Sequence, residues 1–246
     1  MDLMGKVAIV TGGGVRIGRA IAEGLAQQGV RVCVHFGRSR QQAEQLTRSL
    51  REAGGHAACV SADLRQPVQA AATIFEFAHK TFGRVDILIN SAAIFEASSC
   101  AEATEEQWDR HVAINLKAPF FLTQALARSI GDRRGHVVHV ADWRAVRPSR
   151  GHVIYSLTKN GLVALTRLLA LELAPAIQVN ALALGAILPP EGQSTWTEAA
   201  SLLQKIPLRQ VGSPEAVVEA VLFLLRSDFI TGEVLHITGG QELEGG

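Results

Sequence analysis

Residues 7–18 read Val-Ala-Ile-Val-Thr-Gly-Gly-Gly-Val-Arg-Ile-Gly, and no other stretch constrains the fold of this chain as much. Four apolar residues that stop at a turn make a short buried strand, and the apolar periodicity from Ile17 onward makes a helix. Glycines between the two let the backbone approach a diphosphate closely. The helix start offers unpaired N–H groups with a partial positive charge. The glycines that matter are Gly12, Gly14 and Gly18, with Arg16 between the last two, so the spacing departs from Gly-x-Gly-x-x-Gly. The stretch predicts the first strand–turn–helix unit of a nucleotide-binding sheet, with Gly12, Arg16, Ile17 and Gly18 beside the phosphates.

The rest of the chain repeats the alternation that such a sheet needs. Strands are expected at 7–10, 32–35, 57–60, 87–89, 137–140, 178–181 and 234–237, and helices at 17–28, 40–53, 68–82, 105–130, 154–173 and 214–225. Gly29, Gly54 and Gly83 fall just past helix ends, and Pro67 and Pro214 at first turns, where each residue type belongs. No repeat or linker divides the chain. The expectation is therefore one α/β domain over 1–246, a doubly wound Rossmann-type fold of about seven parallel strands. Its longest irregular stretch, within 184–204, is rich in Gly and Pro and follows a strand's carboxyl end, where such sheets bind ligands. It is expected to be a substrate loop.

Composition excludes several roles. A formal net charge of +1 with 19% charged residues leaves no electrostatic footprint for nucleic acid or an anionic membrane. The apolar pattern over 162–173 is interrupted by Thr166, Arg167 and Glu172, and the start of the chain lacks the features of a signal peptide. Cys33, Cys59 and Cys100 are odd in number and outside any CxxC spacing, as in a reducing compartment. A cytoplasmic protein is expected. His136 and His139 are three apart on a strand and so face opposite ways, which argues against a metal pair.

The second strand ends His35-Phe-Gly-Arg38-Ser39-Arg40, with no acid between Gly29 and Glu44. A carboxylate here would bind a ribose 2′-hydroxyl, whereas a guanidinium binds a 2′-phosphate, so NADPH is favoured over NADH. Further along, Tyr155-Ser-Leu-Thr-Lys159 opens a helix and puts the chain's one tyrosine and a lysine on the same face at i and i+4. A lysine charge beside a phenol is expected to lower its pKa and make it a usable acid–base near neutrality.

These residues together resemble the short-chain dehydrogenases/reductases, from Thr11-Gly12 through Asn90-Ser-Ala-Ala93, Asn115 and Tyr155-x-x-x-Lys159 to Gly239-Gly240. The resemblance implies that Asp63 and Leu64 border the adenine, and that Asn90, Ser91, Ala92 and Gly185 lie at the cofactor with His35, Arg38 and Ser39. It implies that Asn115 holds a water relaying protons to Lys159, that Lys159 binds the nicotinamide ribose, and that the chain forms a homotetramer.

One position departs from the family pattern. The usual catalytic serine lies 13 residues before the tyrosine, and 155 − 13 = 142 is Asp142. An ionised carboxylate cannot donate to a carbonyl oxygen, but it can support proton transfer or bind an N–H-rich ring. The Asp142, Tyr155 and Lys159 set is similar to that of the pteridine reductase and dihydromonapterin reductase branch. So are Arg16 in the glycine turn, Phe95 after Asn90-Ser-Ala-Ala, and Gly185-Ala-Ile-Leu188. That resemblance implies a pterin stacked on Phe95 and lined by Arg16, Asp142, Tyr155 and Leu188. Ser91, Ala93 and Leu184 depart from the branch, which has Asn, Ser and Pro there. The expected activity is NADPH-dependent reduction of a pterin ring C=N bond. The alternatives are an NADP(H)-dependent carbonyl or alcohol oxidoreductase, and an inactive NADP(H)-binding sensor or scaffold.

Overall fold

The computed structural model describes residues 1–147, 150–190, 192–193, 195–196 and 199–243. Seven strands form one sheet: β1 Val7–Val10, β2 Arg31–Phe36, β3 Ala57–Ser61, β4 Ile87–Asn90, β5 Gly135–Asp142, β6 Ile177–Leu184 and β7 Val234–Ile237. Their order is β3-β2-β1-β4-β5-β6-β7 and every pairing is parallel. The helices are α1 Arg16–Gln27, α2 Arg40–Glu52, α3 Pro67–Phe82, α4 Glu105–Val112, α5 Ala118–Ser129, α6 Val153–Leu173, α7 Ala199–Gln204 and α8 Pro214–Arg226.

The central strands are buried on both faces and mostly apolar, as a parallel sheet covered on two sides requires, with His136 and His139 the buried exceptions on β5. Ala8, Val10, Ile87 and Ile89 pack with α1, α2 and α8, while Ile9 and Leu88 pack with α3, α5 and α6. Each fully buried Ile or Leu stabilises the fold by about 1.5–3 kcal/mol. Where α1 crosses α8 the approach is so close that a Cβ on Gly24 would lie 2.3 Å from Val218 Cγ1. The order of strands reverses between β1 and β4, and the crevice outside their carboxyl ends is where such sheets hold ligands.

Two sequence expectations are corrected. The helix expected over 105–130 is broken by a π-helical turn, Ala113–Lys117, which separates α4 from α5. The apolar periodicity on either side looks continuous in sequence, and one wide turn does not interrupt it. The substrate loop expected over 184–204 is shorter, because Leu184 completes β6 and Ala199–Gln204 forms α7. Residues 191, 194, 197 and 198 of that loop lie outside the described residues. Among the described residues no helix is long and apolar enough to cross a membrane, and no group of three or more His, Cys, Asp or Glu could hold a metal ion.

Candidate active site

The glycine turn leaves β1 and enters α1 with Gly12 at φ +62° and Arg16 at φ +52°. A Cβ at Gly12 would lie 3.0 Å from Ala92 Cα, and one at Gly18 would lie 2.4 Å from the Gly12 carbonyl oxygen, so both positions need glycine. The cap residue of α1 is Val15, which supplies no side-chain acceptor, and the first turn carries no acidic residue. α4 and α8 differ, since Thr104 and Ser213 accept from backbone N–H groups there. The N–H groups at the start of α1 are therefore available to an anion. A cradle of glycines below an uncapped helix start fits a dinucleotide diphosphate.

Two side chains hold this turn in shape. Thr11 Oγ1 accepts from the N–H groups of Ser91 at 3.0 Å and Ala92 at 3.1 Å, which ties the ends of β1 and β4 together. His35 Nδ1 faces the Gly12 N–H at 3.4 Å, and its Nε2 faces the Ala62 carbonyl at 3.1 Å. Burial pushes the His35 pKa down to about 4, so the ring is neutral and can accept at one nitrogen while donating at the other. His35 thus sits beneath the turn with both nitrogens committed.

Arg38 is exposed at the end of β2, while Arg40 is committed to Glu44 at 3.3 Å and lies 5.4 Å from the Phe36 ring centroid. Ser39 caps α2 through its carbonyl alone. Asp63 pairs with Arg65 at 2.7 Å; that hydrogen bonding holds its carboxyl below the usual range, with a smaller effect from Arg38 nearby. Leu64 beside it is buried. The 2′-phosphate and adenine segments expected from sequence are therefore neighbours.

A cleft of about 360 Å³ joins the glycine turn to the chemical groups. Arg16, Ile17 and Gly18 line one end, Ser91 and Ala92 the middle, and Asp142, Tyr155 and Lys159 the other, with Gly185 and Leu188 along the side. Tyr155 and Lys159 are buried on α6, and the Tyr155 hydroxyl donates to Asp142 Oδ2 at 3.0 Å. Lys159 Nζ donates to the Val140 carbonyl at 2.7 Å and lies 5.7 Å from the Tyr155 ring centroid. Burial pushes the Tyr155 pKa well above its ordinary value, and the charge and hydrogen bond of Asp142 push the same way. Burial lowers Lys159 to about 8, partly offset by Asp142. This corrects the expectation that Lys159 lowers the phenol pKa: the nearer charge is the carboxylate, and a phenol donating to a carboxylate keeps its proton.

Phe95 meets Tyr155 edge-on at 4.7 Å, but one of its faces is already stacked on His152 at 4.3 Å and 8°. Ser98 brings this about. Its N–H donates to the Gly151 carbonyl at 2.8 Å and its own carbonyl accepts from Val153 at 3.1 Å, docking the loop after β4 onto the start of α6. Asn115, in the π turn, grips the same loop: its Oδ1 accepts from Ile94 N–H at 2.9 Å, and its Nδ2 donates to the Ile94 carbonyl at 3.0 Å and Thr158 Oγ1 at 3.2 Å. Its side chain is therefore a clamp on the segment leading to Phe95. Asn90 meets His139 at 3.1 Å, and its Oδ1 is buried without a partner among the described residues. Arg16 Nη2 donates to the Pro189 carbonyl at 2.7 Å and fastens the loop after β6 to the glycine turn.

Sequence reasoning passed over His152 and Arg144, both of which reach the site. Their signals were slight: Arg144 follows Asp142 by two residues, the spacing at which an Asp side chain accepts from a backbone N–H. His152 lies three residues before Tyr155.

A glycine turn at the switch point of a parallel sheet, with a Tyr–Lys pair on the helix after the fifth strand, defines a class of nucleotide-dependent oxidoreductases. The chain belongs to the short-chain dehydrogenase/reductase family: the family model described as enoyl-(acyl carrier protein) reductase matches residues 14–242. FolM alternative dihydrofolate reductase 1 from Brucella canis, solved with NADP, superimposes with a TM-score of 0.94 at 32% identity, over 100% of this chain and 97% of that one. Homo sapiens L-xylulose reductase is 36% identical over 248 residues, 97% of each chain. Aquifex aeolicus 3-oxoacyl-(acyl-carrier-protein) reductase FabG is 35% identical over 251 residues, 98% of each.

Proposed function

We propose that this protein is an NADPH-dependent reductase acting on the ring C=N bond of a pterin or dihydropterin. The observation that carries the reading is Asp142, which stands where a serine would serve a carbonyl and accepts the Tyr155 hydroxyl at 3.0 Å. NADPH, when bound, supplies the hydride. Gly12, Gly18 and the start of α1 would hold its diphosphate, Arg38 and Ser39 its 2′-phosphate, and Asp63 and Leu64 its adenine. Lys159 would hold the nicotinamide ribose. Tyr155 gives its proton to the ring nitrogen as the adjacent carbon is reduced. Asp142 steers that hydroxyl and can accept N–H groups from the ring, while Arg16, Phe95 and Leu188 position it. The similarity to the FolM structures supports this reading.

Purified protein should oxidise NADPH rapidly with dihydrobiopterin, dihydromonapterin or dihydrofolate. The second reading, a carbonyl reductase, draws on the L-xylulose reductase and FabG relatives. Rapid oxidation with L-xylulose or a β-ketoacyl thioester, and none with any pterin, establishes it and sinks the first.

Cofactor choice has its own test. Arg38→Ala removes a charge-assisted contact, worth roughly 1.5–3 kcal/mol, and should raise the KM for NADPH roughly 10- to 100-fold. The KM for NADH should not change. An equal loss with both cofactors would mean that Arg38 supports the turn and does not read the 2′-phosphate. We further propose a cytoplasmic homotetramer, in keeping with three free cysteines and with exposed Leu168 and Leu171 on α6 and Phe223 on α8.

A further inference from the structure

Asp142 has a second partner besides Tyr155. It caps the 3-10 turn Trp143–Ala145, and its Oδ1 accepts from the Arg144 N–H at 2.8 Å and from Arg144 Nη1 at 3.3 Å. Its Oδ2 accepts from the Tyr155 hydroxyl at 3.0 Å and lies 3.5 Å from the same Nη1. The two oxygens therefore have different tasks: one is anchored to Arg144, and the other faces the phenol. The terminal torsion of an Asp side chain is broad, so without an anchor the carboxylate plane can turn. The guanidinium is itself fixed, 5.0 Å from the Trp143 ring centroid and 5.5 Å from that of Phe95.

We propose that Arg144 is a positioning residue, which fixes the carboxylate plane of Asp142 so that Oδ2 meets the Tyr155 hydroxyl. A guanidinium keeps its protons, so Arg144 acts only by geometry and charge. The proposal rests on Tyr155 being the proton donor and not on which substrate is reduced.

A double-mutant cycle on the full-length enzyme tests it, using whichever pterin or carbonyl substrate turns over fastest. Arg144→Met should lower kcat roughly 10- to 100-fold, as expected for a small misplacement of a catalytic group, with NADPH affinity by fluorescence unchanged. Arg144→Lys should recover part of that loss. Because Arg144 acts through Asp142, the Asp142→Asn/Arg144→Met double variant should be no slower than Asp142→Asn alone. Full additivity of the two losses overturns the proposal, as does an Arg144→Met variant whose one defect is a raised KM. Failure of every pterin in the panel sinks the pterin reading alone, since the cycle is then run on the carbonyl substrate.

Discussion

Tyr155→Phe lowers kcat by roughly a thousandfold, the range for loss of a positioned general acid, while NADPH affinity is unchanged. The substitution removes one oxygen and leaves the ring in its edge contact with Phe95 at 4.7 Å. Asp142 keeps its anchor on Arg144, so the site retains its shape and loses the proton. Because Tyr155 is the chain's one tyrosine, tyrosinate absorbance reads its ionisation with no substrate present. The wild type should show no tyrosinate near pH 10, since burial and Asp142 both hold the proton on. Asp142→Asn removes the charge, and the tyrosinate signal should then move to lower pH. A Tyr155→Phe enzyme that keeps near wild-type turnover refutes the mechanism, and an Asp142→Asn titration that does not move refutes the coupling.

The protein should lose most of its stability between about pH 6.5 and pH 4. Burial holds His35 and His136 down to about 4 and His139 to about 3, from an ordinary 6.5. In each case the folded pKa is the lower one, so the unfolded chain takes up the proton first. Stability is complete above about 6.5 and falls as pH drops toward the folded values. A separation of at least two units corresponds to about 3 kcal/mol per site, and three such sites rival the whole stability of a domain. The melting temperature should fall by about 10 °C or more over this interval, and His136→Asn and His139→Asn should each flatten the fall. His35 adds a functional loss: once protonated it cannot accept the Gly12 N–H, and the glycine turn loses its support. A melting temperature that is level from about pH 7.5 to pH 4.5 would rule this out.

The sheet was legible in sequence because a buried parallel strand is a short, mostly apolar run between turn residues, as β1 and β4 are, and the other strands keep enough β-branched and apolar residues to be recognised. The cleft was legible as far as chemistry demands particular residue types at fixed spacing: Gly12 and Gly18, the Tyr155–Lys159 pair, and Asp142. The partner of each polar group could not be read. That the tyrosine donates to Asp142, and that Lys159 turns to the Val140 carbonyl, depends on side-chain direction. The stack of His152 on Phe95 depends on Ser98 docking one loop on another, and no periodicity records that contact.

The π turn at Ala113–Lys117 has a consequence for how this stretch tolerates change. One extra residue in a helical turn rotates the preceding helix by roughly 100° relative to the next one. The two helices on either side are therefore out of phase, and a face drawn through both on a single helical wheel is fictitious. Loss of one residue from 113–117 other than Asn115 would let the stretch close into regular helix, swinging Trp108 and its neighbours to a new azimuth and carrying Asn115 off Ile94. Point substitutions in this turn leave the phase alone. A length change of one is the lesion it cannot absorb.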